Sequence, residues 1–167
     1  MPLARLALLF FTLVSIAAQE QPLGFEKGQL GVLPRPWFVA QQNGWAAKLV
    51  AGEAAAGERF LQLAKSNDQA KGAGNITCQV PAAARFAGKK VRLRAKIRVV
   101  GEGRAQMWMR VDRKNRQRGE LDNMGDRPLT SERWTEAIIE LDVASDSVGI
   151  MLGVLAFGDV AVSIDDV

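Results

Sequence analysis

Residues 89–100 read KKVRLRAKIRVV. Val91, Leu93, Ala95, Ile97 and Val99 alternate here with Arg92, Arg94, Lys96 and Arg98, the period of two expected of a strand with one buried and one wet face. The same pattern recurs on the carboxyl-terminal side. AQMWMRVD (105–112) places Met107, Met109 and Val111 inward and Trp108, Arg110 and Asp112 outward. WTEAIIELDV (134–143) puts Ala137, Ile139, Leu141 and Val143 on one face, and VGIMLGVLAF (148–157), apolar on both faces, reads as a central strand. Gly101 and Gly103 are expected to turn a hairpin between the first two runs. Residues 113–130, polar and carrying Gly119, Gly125 and Pro128, are expected to form a long loop.

Towards the amino terminus the pattern weakens. Residues 46–65 hold alanines of good helix propensity, but Gly52 and Gly57 interrupt them, and Phe60, Gln62 and Ala64 alternate with Leu61, Leu63 and Lys65. Strands are the favoured reading, because the sheet downstream needs partners to cover its apolar faces. ITCQV places Ile76, Cys78 and Val80 on one face, and the segment around Pro34, Pro36 and Trp37 reads as irregular surface. The expected fold is therefore all-β, a mostly antiparallel sandwich.

The first twenty residues, MPLARLALLFFTLVSIAAQE, carry Arg5 and then an apolar run from Leu6 to Ala18. The run is short for a membrane span and ends in the small residues Ser15, Ala17 and Ala18, so residues 1–18 read as a cleaved signal peptide rather than a permanent anchor. The expected product is one domain, residues 19–167, exported to the periplasm or the cell exterior. Its single cysteine, Cys78, has no partner for an internal disulfide and reads as a buried thiol. The chain contains neither histidine nor tyrosine. A Ser-His-Asp triad, a Cys-His pair and a histidine metal site are thus excluded within it. Carboxylates remain available for chemistry, but no pair stands out as an acid and its partner.

Charge is unevenly distributed. Residues 85–118 contain thirteen Lys or Arg against two acidic residues, and residues 119–167 two against eleven, for a net charge of +4 over the whole chain. The favoured account is cross-strand pairing of Arg92, Arg94, Lys96 and Arg98 with Glu136, Glu140 and Asp142. A basic groove for an anionic glycan or cell-envelope partner is the alternative, with nucleic acid set aside because of the export signal. The stretch DRKNRQRG, Asp112 to Gly119, is expected to keep its four positive residues exposed. Asn75, Ile76 and Thr77 form a glycosylation sequon.

GFEKG near the start, WMRVD, DNMGDRP, WTEAIIELDV and the closing IDDV resemble, over roughly residues 23–167, the galactose-binding-like jelly-roll domains of bacterial secreted proteins, among them carbohydrate-binding modules. The resemblance implies a jelly-roll sandwich and a non-catalytic binding module. Such modules often stand beside a catalytic domain; none is expected within residues 19–167, and a free-standing lectin-like protein or an accessory subunit is the expected form. Some of these modules hold a structural calcium where first and last strands meet. By resemblance Glu26, Asp165 and Asp166 match the places that supply its carboxylate oxygens, a chemistry suited to a hard cation.

A glycan site needs an aromatic platform flanked by side chains able to hydrogen-bond hydroxyls. Trp108, Arg110 and Asp112 on one strand face are the best local constellation. Arg94, Asn123 and Asp126, together with Trp37 and Trp45, can join it only through the fold, and Trp134 reads as packing. The expected role is a non-catalytic binding module for a carbohydrate. A structural or protein-interaction sandwich is the second reading and a carboxylate-dependent glycan hydrolase a distant third.

Overall fold

The alternating run that begins at Lys90 does not stop at the glycines. In the computed structural model, which describes residues 23–41, 43–81 and 83–167, it continues as one strand from Lys90 to Arg113. There are eight strands among the described residues: β1 (Trp37–Val39), β2 (Trp45–Ala51), β3 (Arg59–Lys65), β4 (Gly74–Gln79), β5 (Lys90–Arg113), β6 (Arg118–Asp122), β7 (Thr135–Asp142) and β8 (Ser147–Asp165). Every pairing between them is antiparallel. Short 3-10 turns at Ala83–Phe86 and Lys114–Arg116 are the helical elements described.

Two long strands join two layers. The second half of β5 pairs with β6 on one side and with the first half of β8 on the other, and that part of β8 pairs with β4, which pairs with β1. This gives layer I, in the order β1-β4-β8-β5-β6. The first half of β5 pairs with β7 and with the second half of β8, and β8 there pairs with β3, which pairs with β2. This gives layer II, in the order β2-β3-β8-β5-β7.

Gly101 and Gly103, read as a hairpin, instead lie inside β5 at this passage between layers, with Gly103 opposite Gly158 of β8. All three have positive φ, at 110°, 156° and 93°, and a side chain on any of them would run into the carbonyl of the facing strand. The expected hairpin is not formed; what the glycines permit is a bend shared by two paired strands, not a reversal. The expected loop at 113–130 likewise contains β6, and its later part returns to β5 through a bridge between Leu129 and Ala105.

The core lies between the layers. Layer I contributes Ile76, Cys78, Met107, Met109, Val111, Leu152 and Val154, and layer II Leu49, Leu61, Leu63, Ala95, Ile97, Val99, Ile139, Val162 and Ile164. Each such side chain removed from water contributes roughly 1.5–3 kcal/mol, which lets the fold stand without a disulfide. Trp37 and Trp45, at 6% and 4% exposure, belong to this core. The irregular surface expected around Trp37 is a short edge strand whose tryptophan packs inward against Phe25.

The outer face of layer II consumes the basic run. Register places Lys90 opposite Asp142, Arg92 opposite Glu140 and Lys96 opposite Glu136, and each forms an ion pair. Arg94 faces Ile138 and reaches Asp166 instead, at 3.6 Å. Arg98 lies against both Trp134 and Phe60, its guanidinium 4.8 and 5.4 Å from the two ring centres, which meet edge to face at 5.7 Å, so Trp134 packs over this face.

Candidate functional site

β5 gives its alternate residues Trp108, Arg110 and Asp112 to the outer face of layer I. Register fixes their neighbours. Trp108 stands opposite Gly153 of β8, Gly153 opposite Thr77 of β4, and Thr77 opposite Phe38 of β1. One row further along, Arg110, Met151 and Gln79 align, with Leu121 of β6 beyond Arg110. One row back stand Gln106, Leu155 and Asn75.

The indole does not stand upright on this face. Its Nε1–H donates to Asn75 Oδ1 at 3.3 Å, although Asn75 is on β4 and β8 runs between the two strands. The ring therefore crosses β8, and it does so at Gly153, where an added Cβ would lie 2.9 Å from Nε1 and 3.0 Å from Cε2. Thr77 Oγ1 donates to the same Asn75 oxygen at 3.3 Å. The result is a half-buried indole laid on the sheet and held at its nitrogen, a form suited to stacking against a flat apolar partner. Beside it Arg110 is closed on Asp112, with Nε and Nη2 at 2.7 and 3.2 Å from the two carboxylate oxygens. The charged pair is thereby neutral as a unit. Asn75 is the sequon asparagine, and its side chain is engaged in this face.

The other expected site residues are dispersed. Arg94 is on the outer face of layer II, away from Trp108. Asn123 and Asp126 are on the loop leaving β6 at the edge of layer I, where Asn123 Oδ1 accepts from Gly125 N–H and Asp126 pairs with Arg127 at 2.8 Å. Trp37 and Trp45 are buried between the layers and cannot offer a platform. Asn75, Thr77, Gln79, Phe38 and Gly153 escaped the sequence reading. The alternation that turned Ile76 and Cys78 inward turned Asn75, Thr77 and Gln79 outward, but only strand pairing brings them to Trp108.

Glu26 and Asp165 approach one loop, residues 52–58, from two sides. Asp165, 3% exposed, accepts from the N–H groups of Ala55 and Ala56 at 2.8 Å through Oδ2 and from that of Asp166 through Oδ1. Glu26 accepts from the N–H groups of Glu58 and Arg59 at 3.2 Å. These oxygens face amide hydrogens, and Asp166 turns to Arg94. Among the described residues no three His, Cys, Asp or Glu side chains gather as a metal site. The carboxylates do not fit a calcium ion in this arrangement; they fasten the last strand to the loop by themselves.

An open depression of about 330 Å³ lies elsewhere, at one end of the sandwich between Lys90, Asp142, Arg113 and Glu120, and none of Trp108, Arg110 or Asp112 lines it. The Trp108 face also carries Phe38 and Leu121, both exposed. No helix of the described residues is long and apolar enough to cross a membrane, and the expected signal peptide, residues 1–18, lies outside them.

The fold matches solved carbohydrate-binding modules. The C-terminal family 22 carbohydrate-binding module of Clostridium thermocellum Xyn10B aligns with a TM-score of 0.64 at 13% identity, over 87% of this chain and 88% of that one. The CBM22-1 xylan-binding domain of Paenibacillus barcinonensis Xyn10C aligns with a TM-score of 0.62 at 13% identity, over 87% and 89%. An exo-beta-agarase aligns with a TM-score of 0.63 at 11% identity, over 88% of this chain and 24% of that one. At such identities the likeness is one of fold. No family model matches the sequence. An uncharacterized HTH-type transcriptional regulator, YbfP of Bacillus subtilis (strain 168), is 38% identical over 85 residues, half of this chain and 29% of the relative.

Proposed function

We propose that this protein is a non-catalytic, exported glycan-binding module that stacks a sugar ring on Trp108. The observation that carries the proposal is the indole laid across Gly153 and held by Asn75. An indole held flat on the sheet keeps a ring face turned outward, the kind of platform on which a sugar's apolar face stacks. Gln79, exposed one row along, supplies a neutral hydrogen-bonding group beside it, and the closed Arg110–Asp112 pair removes the net charge that would favour an acidic ligand. The likeness of fold to domains described as xylan-binding supports a glycan ligand for this chain too. The HTH-type relative does not favour a nucleic-acid role, since the described residues include no pair of α-helices to form such a motif.

Affinity electrophoresis of the purified protein in gels containing xylan, glucan, agarose or polygalacturonate tests this at low and raised salt. Retention by a neutral polysaccharide, unchanged by salt and lost in Trp108→Ala with the far-UV dichroism preserved, is the expected result. Absence of retention in all four gels would return the face to a protein-contact role, in which Trp108, Phe38 and Leu121 are covered by another subunit.

A further inference from the structure

Two aromatic side chains, not one, stand on the Trp108 face. Phe38 occupies β1, the edge strand, in the same transverse row as Trp108: Phe38 pairs with Thr77, Thr77 with Gly153 and Gly153 with Trp108. Its neighbour Trp37 is buried inward, so alternation turns Phe38 outward, where it is 42% exposed. Between the two aromatics the row holds no projecting side chain. Gly153 has none, and Thr77 is 3% exposed, its hydroxyl turned to Asn75. Three steps between neighbouring strands separate the two backbone positions, about 14 Å at the usual strand spacing, and the indole, laid across β8 toward Asn75, covers part of that distance.

We infer that the glycan lies across the strands of layer I along the row Trp108–Gly153–Thr77–Phe38, with sugar rings stacked on both aromatic side chains. The site then takes an internal stretch of a linear, uncharged glycan, because β1 is the edge strand of layer I and the Arg110–Asp112 ion pair beside the row is closed on itself. Phe38 is a second binding platform and sets the length of chain recognised. This inference rests on the Trp108 reading above, and the experiment separates the two.

Titration calorimetry with xylo-, cello-, agaro- and galacturono-oligosaccharides of increasing length, from disaccharide to hexasaccharide, reads the extent of the site. The expected result is affinity for one neutral series that climbs until both platforms are spanned and then levels off. Phe38→Ala is expected to lower affinity for the longer members about tenfold, the scale of one aromatic contact, while leaving the shortest members unaffected, and Phe38→Tyr to restore it. The thermal midpoint of each variant reports folding. Affinity that does not depend on length, or a Phe38→Ala protein that binds like the parent while Trp108→Ala does not bind, overturns the inference and leaves the Trp108 platform standing. Binding confined to the galacturono-series also overturns it. Failure of every series to bind overturns both.

Discussion

Asp165, the penultimate acidic residue of the chain, accepts hydrogen bonds at 2.8 Å from the backbone N–H groups of both Ala55 and Ala56, more than a hundred residues earlier. A buried carboxylate with several amide donors is satisfied without a counter-ion, and removing it strands those donors. Asp165→Ala is therefore expected to cost about 2 kcal/mol of unfolding free energy, read as a lower denaturation midpoint in urea. The same experiment tests the metal. Since the oxygens of Glu26 and Asp165 already face amide hydrogens, the parent protein's midpoint is expected to be the same in calcium and in chelator. A chelator-dependent drop would show that the loop rearranges around an ion.

Arg113 and Asp146 tie the end of β5 to the turn before β8, with Nε and Nη2 at 2.8 and 3.0 Å from the carboxylate. The hydrogen bond from Arg113, together with its positive charge, holds the Asp146 carboxyl below the usual carboxylate range. A carboxyl whose folded pKa is depressed stabilises the fold at pH above its unfolded value, and this contribution disappears as pH falls through the folded one. The pair is partly exposed, so the effect is small. Arg113→Gln is expected to melt slightly below the parent at about pH 7, with the difference shrinking as pH falls and Asp146 takes up its proton. A difference that persists unchanged in acid would mean that Arg113 acts through packing.

The layers were legible in the sequence because burial writes itself as alternation. Leu93, Ala95, Ile97 and Val99, then Met107, Met109 and Val111, then Ala137, Ile139 and Leu141, all point inward as their spacing requires. The ion pairs of Arg92 and Lys96 were legible for a related reason, since opposite charges on neighbouring strands favour one register. The path of the chain was less so. Gly101 and Gly103 signal a break in flat strand geometry, and nothing local distinguishes a reversal from a bend that β8 shares through Gly158. The candidate face was half legible. Trp108 and its strand neighbours Arg110 and Asp112 are local, whereas Asn75, Gly153 and Phe38 reach the same face only through three separate strand pairings. Trp37 misled because prolines around it suggested an irregular surface, while its burial depends on β4.

Cys78 lies at the centre of layer I, fully buried between neighbours on β1 and β8. Burial raises its thiol to about 12, so the reactive thiolate is negligible at neutral pH. Iodoacetamide is expected to leave the native protein unmodified and to label it fully in denaturant, as read by intact mass. Cys78→Ser buries a hydroxyl among apolar side chains and is expected to cost about 1–3 kcal/mol. Labelling under native conditions would mean that the edge formed by β1 opens readily.

In the proposed site Asn75 positions the Trp108 ring without any need to touch a sugar itself. Its Oδ1 takes the indole N–H of Trp108 and the hydroxyl of Thr77, so Asn75→Ala releases the ring while deleting little from the core. A freed indole regains rotamer freedom and must be ordered again when ligand arrives, which costs about 0.5–1.5 kcal/mol. Glycan affinity is therefore expected to fall about threefold to tenfold, with the aromatic circular dichroism of the unliganded protein diminished in parallel. Asn75→Asp keeps an acceptor in place and is expected to preserve both signals. The split between the two variants matters more than the size of the loss: a residue that merely packed would be disturbed as much by a buried charge as by truncation. If Asn75→Asp and Asn75→Ala weaken binding equally, the acceptor at Oδ1 is not what holds Trp108 in place.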